Sequence, residues 1–258
     1  MDKFRKLFGK MTSDSVSKEG AKLMNNYSNE QSERRIVNNA AGLNAFLTKM
    51  YGWMSLAVLV SAATAFLTYS TVSPQTLAGG GMWIALIVWF ILPFVVSLQS
   101  LKRPSLAFGA LMVYAILSGY VFTAIAYRYT GASIAAAFVS ASAIFITMTV
   151  FGLVTRKNLD KIGRQATAAL IALIIAMVIN WFLHSSMIAF VFSIIAVIIF
   201  TLLTAYDTQK MKEMYNQAGS TGQVSVNGLA VFGALQLYLD FVNLFLQLLQ
   251  IFGMSDDR

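Results

Sequence analysis

The stretch LAVFGALQLYLDFVNLFLQLLQIFG, residues 229–253, is rich enough in Leu, Phe and Val to cross a bilayer, yet it holds one carboxylate, Asp240, near its middle. Gln236, Asp240, Asn243, Gln247 and Gln250 follow one another at steps of four, three, four and three. That spacing keeps all five on one face of a helix. Such a face has to turn away from lipid, because an acid at bilayer mid-depth costs on the order of 2.5–3.5 kcal/mol. The helix is therefore predicted to be central in a bundle, its polar face set against other helices or water. Amides alone would also serve to tie helices together by hydrogen bonds. An acid is a costly choice for that purpose, and it calls for a partner. The candidate is Asp207, in Thr204-Ala205-Tyr206-Asp207-Thr208-Gln209.

Composition sets the same class for the whole chain. Its 258 residues are 57% hydrophobic and only 12% charged, with 19 basic and 11 acidic side chains. Mean hydropathy is +0.67. Soluble domains carry about a quarter of their residues as charges, so this is an all-α integral membrane protein. A span needs roughly 20 apolar residues. Cutting the neutral runs at charges, Gly, Pro and Ser predicts seven transmembrane helices, at about 50–71, 82–101, 105–127, 131–154, 165–184, 187–210 and 229–253. Nothing alternates as the strands of a membrane barrel would. In the fourth segment Ser133, Ser140 and Thr147 recur every seven residues, the pattern of a small-residue packing face.

Lys and Arg set the orientation, because cytoplasmic loops accumulate them. Seventeen of the 19 fall on one side of this seven-span scheme, and only Arg128 and Arg258 on the other. The amino terminus is therefore expected in the cytoplasm, and a short tail, 255–258, outside. This rule accounts for the net charge of +8, so no nucleic-acid partner is expected. The absence of cysteine excludes disulfides and thiolate metal sites. Residues 1–45 form a polar, basic amino-terminal region expected to be flexible and cytoplasmic, ahead of a transmembrane domain over 46–254. Within it Phe4, Leu7, Phe8 and Met11 recur at helical spacing beside Lys3, Arg5, Lys6 and Lys10. That pattern fits a basic helix lying on an anionic leaflet, a basic tail that only helps set topology, or a handle for a cytoplasmic partner.

Counted from the inner surface, Asp207 lies one to two turns deep and Asp240 about three, so a tilt or a shifted boundary brings them level. Two carboxylates that meet in a low-dielectric site share a proton and titrate as one unit. Paired aspartates in adjacent membrane helices also serve intramembrane aspartyl proteases, and Tyr206-Asp207 matches the first of their motifs. The second needs Gly-x-Gly-Asp, whereas this chain has Leu237-Tyr238-Leu239-Asp240. No enzyme activity is expected. His184, the one histidine, stands at the outer end of the fifth segment as a wetted interfacial residue. Pro93 should kink the second segment. Trp53, Trp83, Trp89 and Trp181 read as interfacial anchors and packing. No tightly bound cofactor is expected.

Four motifs resemble one known family: Thr204-Ala205-Tyr206-Asp207-Thr208-Gln209; Leu237-Tyr238-Leu239-Asp240-Phe241-Val242-Asn243-Leu244-Phe245-Leu246; Tyr129-Thr130-Gly131-Ala132-Ser133-Ile134; and Thr155-Arg156-Lys157-Asn158-Leu159-Asp160-Lys161-Ile162-Gly163. Together, over roughly residues 36–253, they are similar to the Bax-inhibitor family, the transmembrane Bax inhibitor motif proteins, and to its bacterial branch, which implies the bacterial inner membrane. The resemblance implies seven helices with the last surrounded by the other six, and a pH-dependent calcium leak. Asp207 and Asp240 would then be sensor and gate, and would hold calcium, the transported species, weakly and transiently. Gln236, Asn243 and Gln247 would line the ion path. Some members carry an ionisable residue in the second helix near the pair; Met82–Leu101 here has none. Other bacterial members bind and restrain a membrane-bound AAA protease, which makes such a protease the alternative partner. The connection between Asp207 and Asp240 reads as a long loop containing Gly219-Ser220-Thr221-Gly222.

Overall fold

The computed structural model describes residues 22, 24–25, 41–77, 79–221 and 225–256. By its contacts the chain divides into Met1–Ala45 and Phe46–Arg258, and the second of these carries the bundle. The amphipathic pattern at residues 4–11 and the Gly222 turn lie outside the described residues.

Seven helices are long and apolar enough to cross a membrane: α1 (Ala41–Thr71), α2 (Gly80–Ser100), α3 (Pro104–Ala126), α4 (Gly131–Val154), α5 (Asp160–Leu183), α6 (Ser186–Thr221) and α7 (Val226–Asp256). They fall where the seven predicted segments do, and the chain is a multi-pass membrane protein. A single helical turn, Pro74–Leu77, separates α1 from α2. Local chemistry sets the ends. Pro104 opens α3, where its missing N–H costs nothing. Thr130 caps α4 by accepting the Ser133 N–H at 3.2 Å. Asn158 accepts the Asp160 N–H at 2.7 Å at the start of α5. His184 closes α5 in the left-handed region at φ 53°, a job usually given to Gly or Asn. Pro93 stands inside α2, which runs on through it.

Burial ranks the helices. Over the most apolar window of each, 67% of α7 is buried, against 6% of α2 and 11% of α5. The polar-striped helix is thus the central one, as its sequence requires. It packs against α6, α4, α3 and α2, and meets α1 through Tyr238 and Ser61. One correction follows: α5 packs on α6 rather than on α7, so α7 is not ringed by all six. An all-round apolar helix such as α5 needs only one protein neighbour, since lipid satisfies its other faces.

Two further expectations are corrected. The small-residue face of α4 is not Ser133-Ser140-Thr147, because Thr147 is exposed and returns its hydroxyl to the Ala143 carbonyl at 2.8 Å. The buried face is Ser133, Ala137, Ala141, Phe145 and Gly152, since alanine packs as closely as serine without a hydroxyl to satisfy. Nor is there a long loop between Asp207 and Asp240. Helix α6 continues to Thr221 and α7 starts at Val226. Hydropathy marks where the bilayer ends, not where the helix does.

Candidate functional site

That continuation places the two acids. Asp207 lies fourteen residues before the end of α6 and Asp240 fourteen residues after the start of α7. At about 1.5 Å per residue both sit about 21 Å from the connection that joins these antiparallel helices. They are level without any tilt. Their carboxyl groups are within hydrogen-bonding reach of each other, and the residues are only 9% and 5% exposed. Asp240 Oδ2 has no hydrogen-bond partner. Lys210, one turn along α6, is the cation that acts on Asp207, and its ammonium lies 5.1 Å from the centre of the Tyr206 ring.

Glycines bring the surrounding backbones close. A Cβ at Gly152 on α4 would strike the Ala205 carbonyl oxygen of α6, and one at Gly233 on α7 would strike Met50 and Met211. A Cβ at Gly163 would strike the Tyr206 ring. Hydroxyls then cross-link the helices. Tyr51 on α1 meets Thr208 on α6 at 3.2 Å. Tyr238 on α7 meets Ser61 on α1 at 2.7 Å. Trp89 on α2 donates to Ser118 on α3 at 2.9 Å, so this tryptophan packs helices, whereas Trp83 and Trp181 are mostly exposed.

The amide stripe has a definite surrounding. At about 100° per residue, Gln236, Asn243, Gln247 and Gln250 fall within about 80° of Asp240, all to one side of it. Gly228, about 120° round on the same side, abuts the Ser100 carbonyl at the end of α2. Asp240 itself meets α6. The amides therefore lie on the side of α7 between its contacts with α6 and α2, and all four are half-buried while the apolar residues on the other faces of α7 are largely buried. Asn243 donates to the Leu239 carbonyl at 2.8 Å. The Gln247 Oε1 atom is buried with no partner. On the opposite side of α7, a cavity of about 380 Å³ between α1, α3, α4 and α7 is lined by Val58, Phe122, Phe138, Phe241 and Phe245. Its apolar walls make it unsuitable for an ion.

Among the described residues no group of three or more His, Cys, Asp and Glu side chains is placed to hold a metal. The pair and its neighbouring amides offer oxygen donors only, the set that hard cations such as calcium accept. His184 is exposed, with Nδ1 3.1 Å from the Phe182 carbonyl, far in sequence from the acids and on another helix. The sequence reading missed Gln209, whose side chain accepts the Leu159 N–H at 2.8 Å and donates to the Lys157 carbonyl at 2.9 Å. It also missed the role of Tyr238. Both stand in the quoted motifs, beside the acids that drew attention there.

A family model described as inhibitor of apoptosis-promoting Bax1 matches residues 43–257. A Lactococcus lactis protein named YrjE is 39% identical over 219 residues, covering 83% of this chain and 92% of its own. The Escherichia coli inner membrane protein YbhL is 34% identical over 222 residues, covering 84% and 95%. A Rickettsia prowazekii protein is 37% identical over 227 residues, covering 84% and 92%.

Proposed function

Because this chain belongs to the Bax-inhibitor family, we propose that it is a pH-sensitive calcium leak of the bacterial inner membrane, gated by Asp207 and Asp240. The observation that carries the reading is a buried carboxylate pair within hydrogen-bonding reach, continuous with a half-buried stripe of amides. While the pair holds a proton, the two carboxyls hydrogen-bond and draw α6 and α7 together. When both are ionised they repel, or a divalent cation bridges them. Two carboxylates are few for a tight calcium site, so the cation binds weakly and leaves easily, as conduction needs. Gln236, Asn243 and Gln247 line the path beyond the pair. The amino terminus and the Lys- and Arg-rich ends of the helices face the cytoplasm.

The test is calcium influx into liposomes loaded with an indicator, from about pH 5 to 8, for wild type, Asp207→Asn and Asp240→Asn. A pH-dependent leak that either substitution flattens supports the proposal. Equal tightness of all three folded proteins at every pH rejects it. In that event the second reading, restraint of a membrane-bound AAA protease through the basic region of residues 1–45, is tested by co-purification with and without residues 1–40.

A further inference from the structure

We propose that the basic end of the bundle carries a phosphate site between α4 and α6, centred on Arg156 and Lys212, that holds the phosphodiester of an anionic lipid headgroup. The site is a cavity of about 190 Å³ lined by Thr155, Arg156, Lys212, Glu213 and Asn216, among others. It differs in kind from the cavities beside α1, which hold no charged side chain and are walled mainly by apolar ones. Its position is set by the end of α4 at Val154 and by the point on α6 where Lys210 and Lys212 end the apolar run. That is headgroup level, on the side where the chain's cations gather. Basic pockets between membrane helices on that side suit anionic headgroups.

The walls are held before any ligand arrives. Gln209 fastens the 157–159 segment to α6 by two hydrogen bonds, of 2.8 and 2.9 Å. Lys212 donates to the Leu153 carbonyl at 2.9 Å, which fixes its ammonium over the end of α4 and leaves two of its three N–H groups. Gly152 lets α4 sit directly on the Ala205 carbonyl of α6. Arg156 is exposed and makes no hydrogen bond or ion pair with another described residue. Its planar fork of donors is the group best shaped for two phosphate oxygens.

Charge selects the ligand. Arg156 and Lys212 bring two positive charges and Glu213 one negative, so the lining has a net charge of one. A phosphodiester headgroup without a cation, such as phosphatidylglycerol, carries a net single negative charge and matches it, whereas the choline of phosphatidylcholine cancels that charge. Inorganic phosphate, a partial dianion at neutral pH, is opposed by Glu213. This proposal does not depend on the calcium-leak reading, and its test does not measure flux.

The full-length protein is equilibrated with equal amounts of phosphatidylglycerol and phosphatidylcholine in detergent micelles, and the lipids retained are counted by native mass spectrometry. Wild type should retain phosphatidylglycerol in preference. Arg156→Gln should lower that retention about tenfold or more, the equivalent of one lost charge-assisted contact. Lys102→Gln, which removes an exposed cation at the end of α2, should leave it unchanged. Equal retention of the two lipids, or equal loss in both variants, overturns the proposal. Displacement of the lipid by inorganic phosphate would overturn the headgroup assignment and give the pocket to free phosphate. Arg156 supports no packing, and an unaltered helical circular dichroism spectrum confirms that the variant folds.

Discussion

Replacing Tyr238 by Phe removes a hydroxyl at the centre of the bundle that bonds Ser61 and has Ser118 beside it as well. Ser61 Oγ donates to the Ala57 carbonyl at 2.8 Å, and its hydroxyl has a single hydrogen. While Ser61 bonds Ala57, the tyrosine is the donor in its 2.7 Å contact with Ser61. Phenylalanine deletes that donor and keeps the ring, which packs edge-on against Tyr114 with centroids 5.7 Å apart. The ring packing is kept, so the cost is that of the hydroxyl's interhelical hydrogen bonding within a membrane, about 0.6 and at most about 1.7 kcal/mol for each bond. Ser61→Ala removes the acceptor of the same bond. The two substitutions should therefore be non-additive, with a coupling energy of about 0.6–1.7 kcal/mol. Unfolding in mixed micelles with increasing sodium dodecyl sulfate, run on wild type, both single variants and the double variant, gives all four corners of the cycle. Additive effects would refute the bond between the two hydroxyls. A loss above about 3 kcal/mol for Tyr238→Phe would mean that the hydroxyl does more than this bond.

Gln209→Ala should free the segment before α5, costing about 1–3 kcal/mol for a buried N–H left without its acceptor, with faster hydrogen exchange at the Leu159 amide as the readout. Gly152→Ala should destabilise by about 1–3 kcal/mol, because a methyl group there collides with the Ala205 carbonyl; Gly109→Ala, with open space around it, should be neutral or mildly stabilising in the same micelle assay. Two ionised carboxylates repel and a proton shared between them attracts, so the association of α6 with α7 should weaken as the pH rises through the titration of the pair. Lys210 is the charged neighbour that tempers this effect. Asp240→Asn should abolish that trend in a pH series of unfolding midpoints, and an unchanged trend would show that other groups cause it.

The membrane class, the number of spans and the central place of α7 were all legible in the chain, because hydrophobicity and the spacing of polar residues are local properties that the bilayer reads directly. The 25 residues around Asp240 carry their own evidence: an acid flanked by amides at helical spacing cannot face lipid. Tertiary structure decided the rest. Whether Asp207 and Asp240 meet depends on how far α6 and α7 run beyond the bilayer, and hydropathy is silent once the helix leaves it. Helix α2 packs on α3 and α7, a choice among several apolar faces. The Gln209 clamp joins residues some fifty positions apart, and the basic pocket beside it forms from segments equally distant. A polar side chain names the bond it needs, but only the fold supplies the partner.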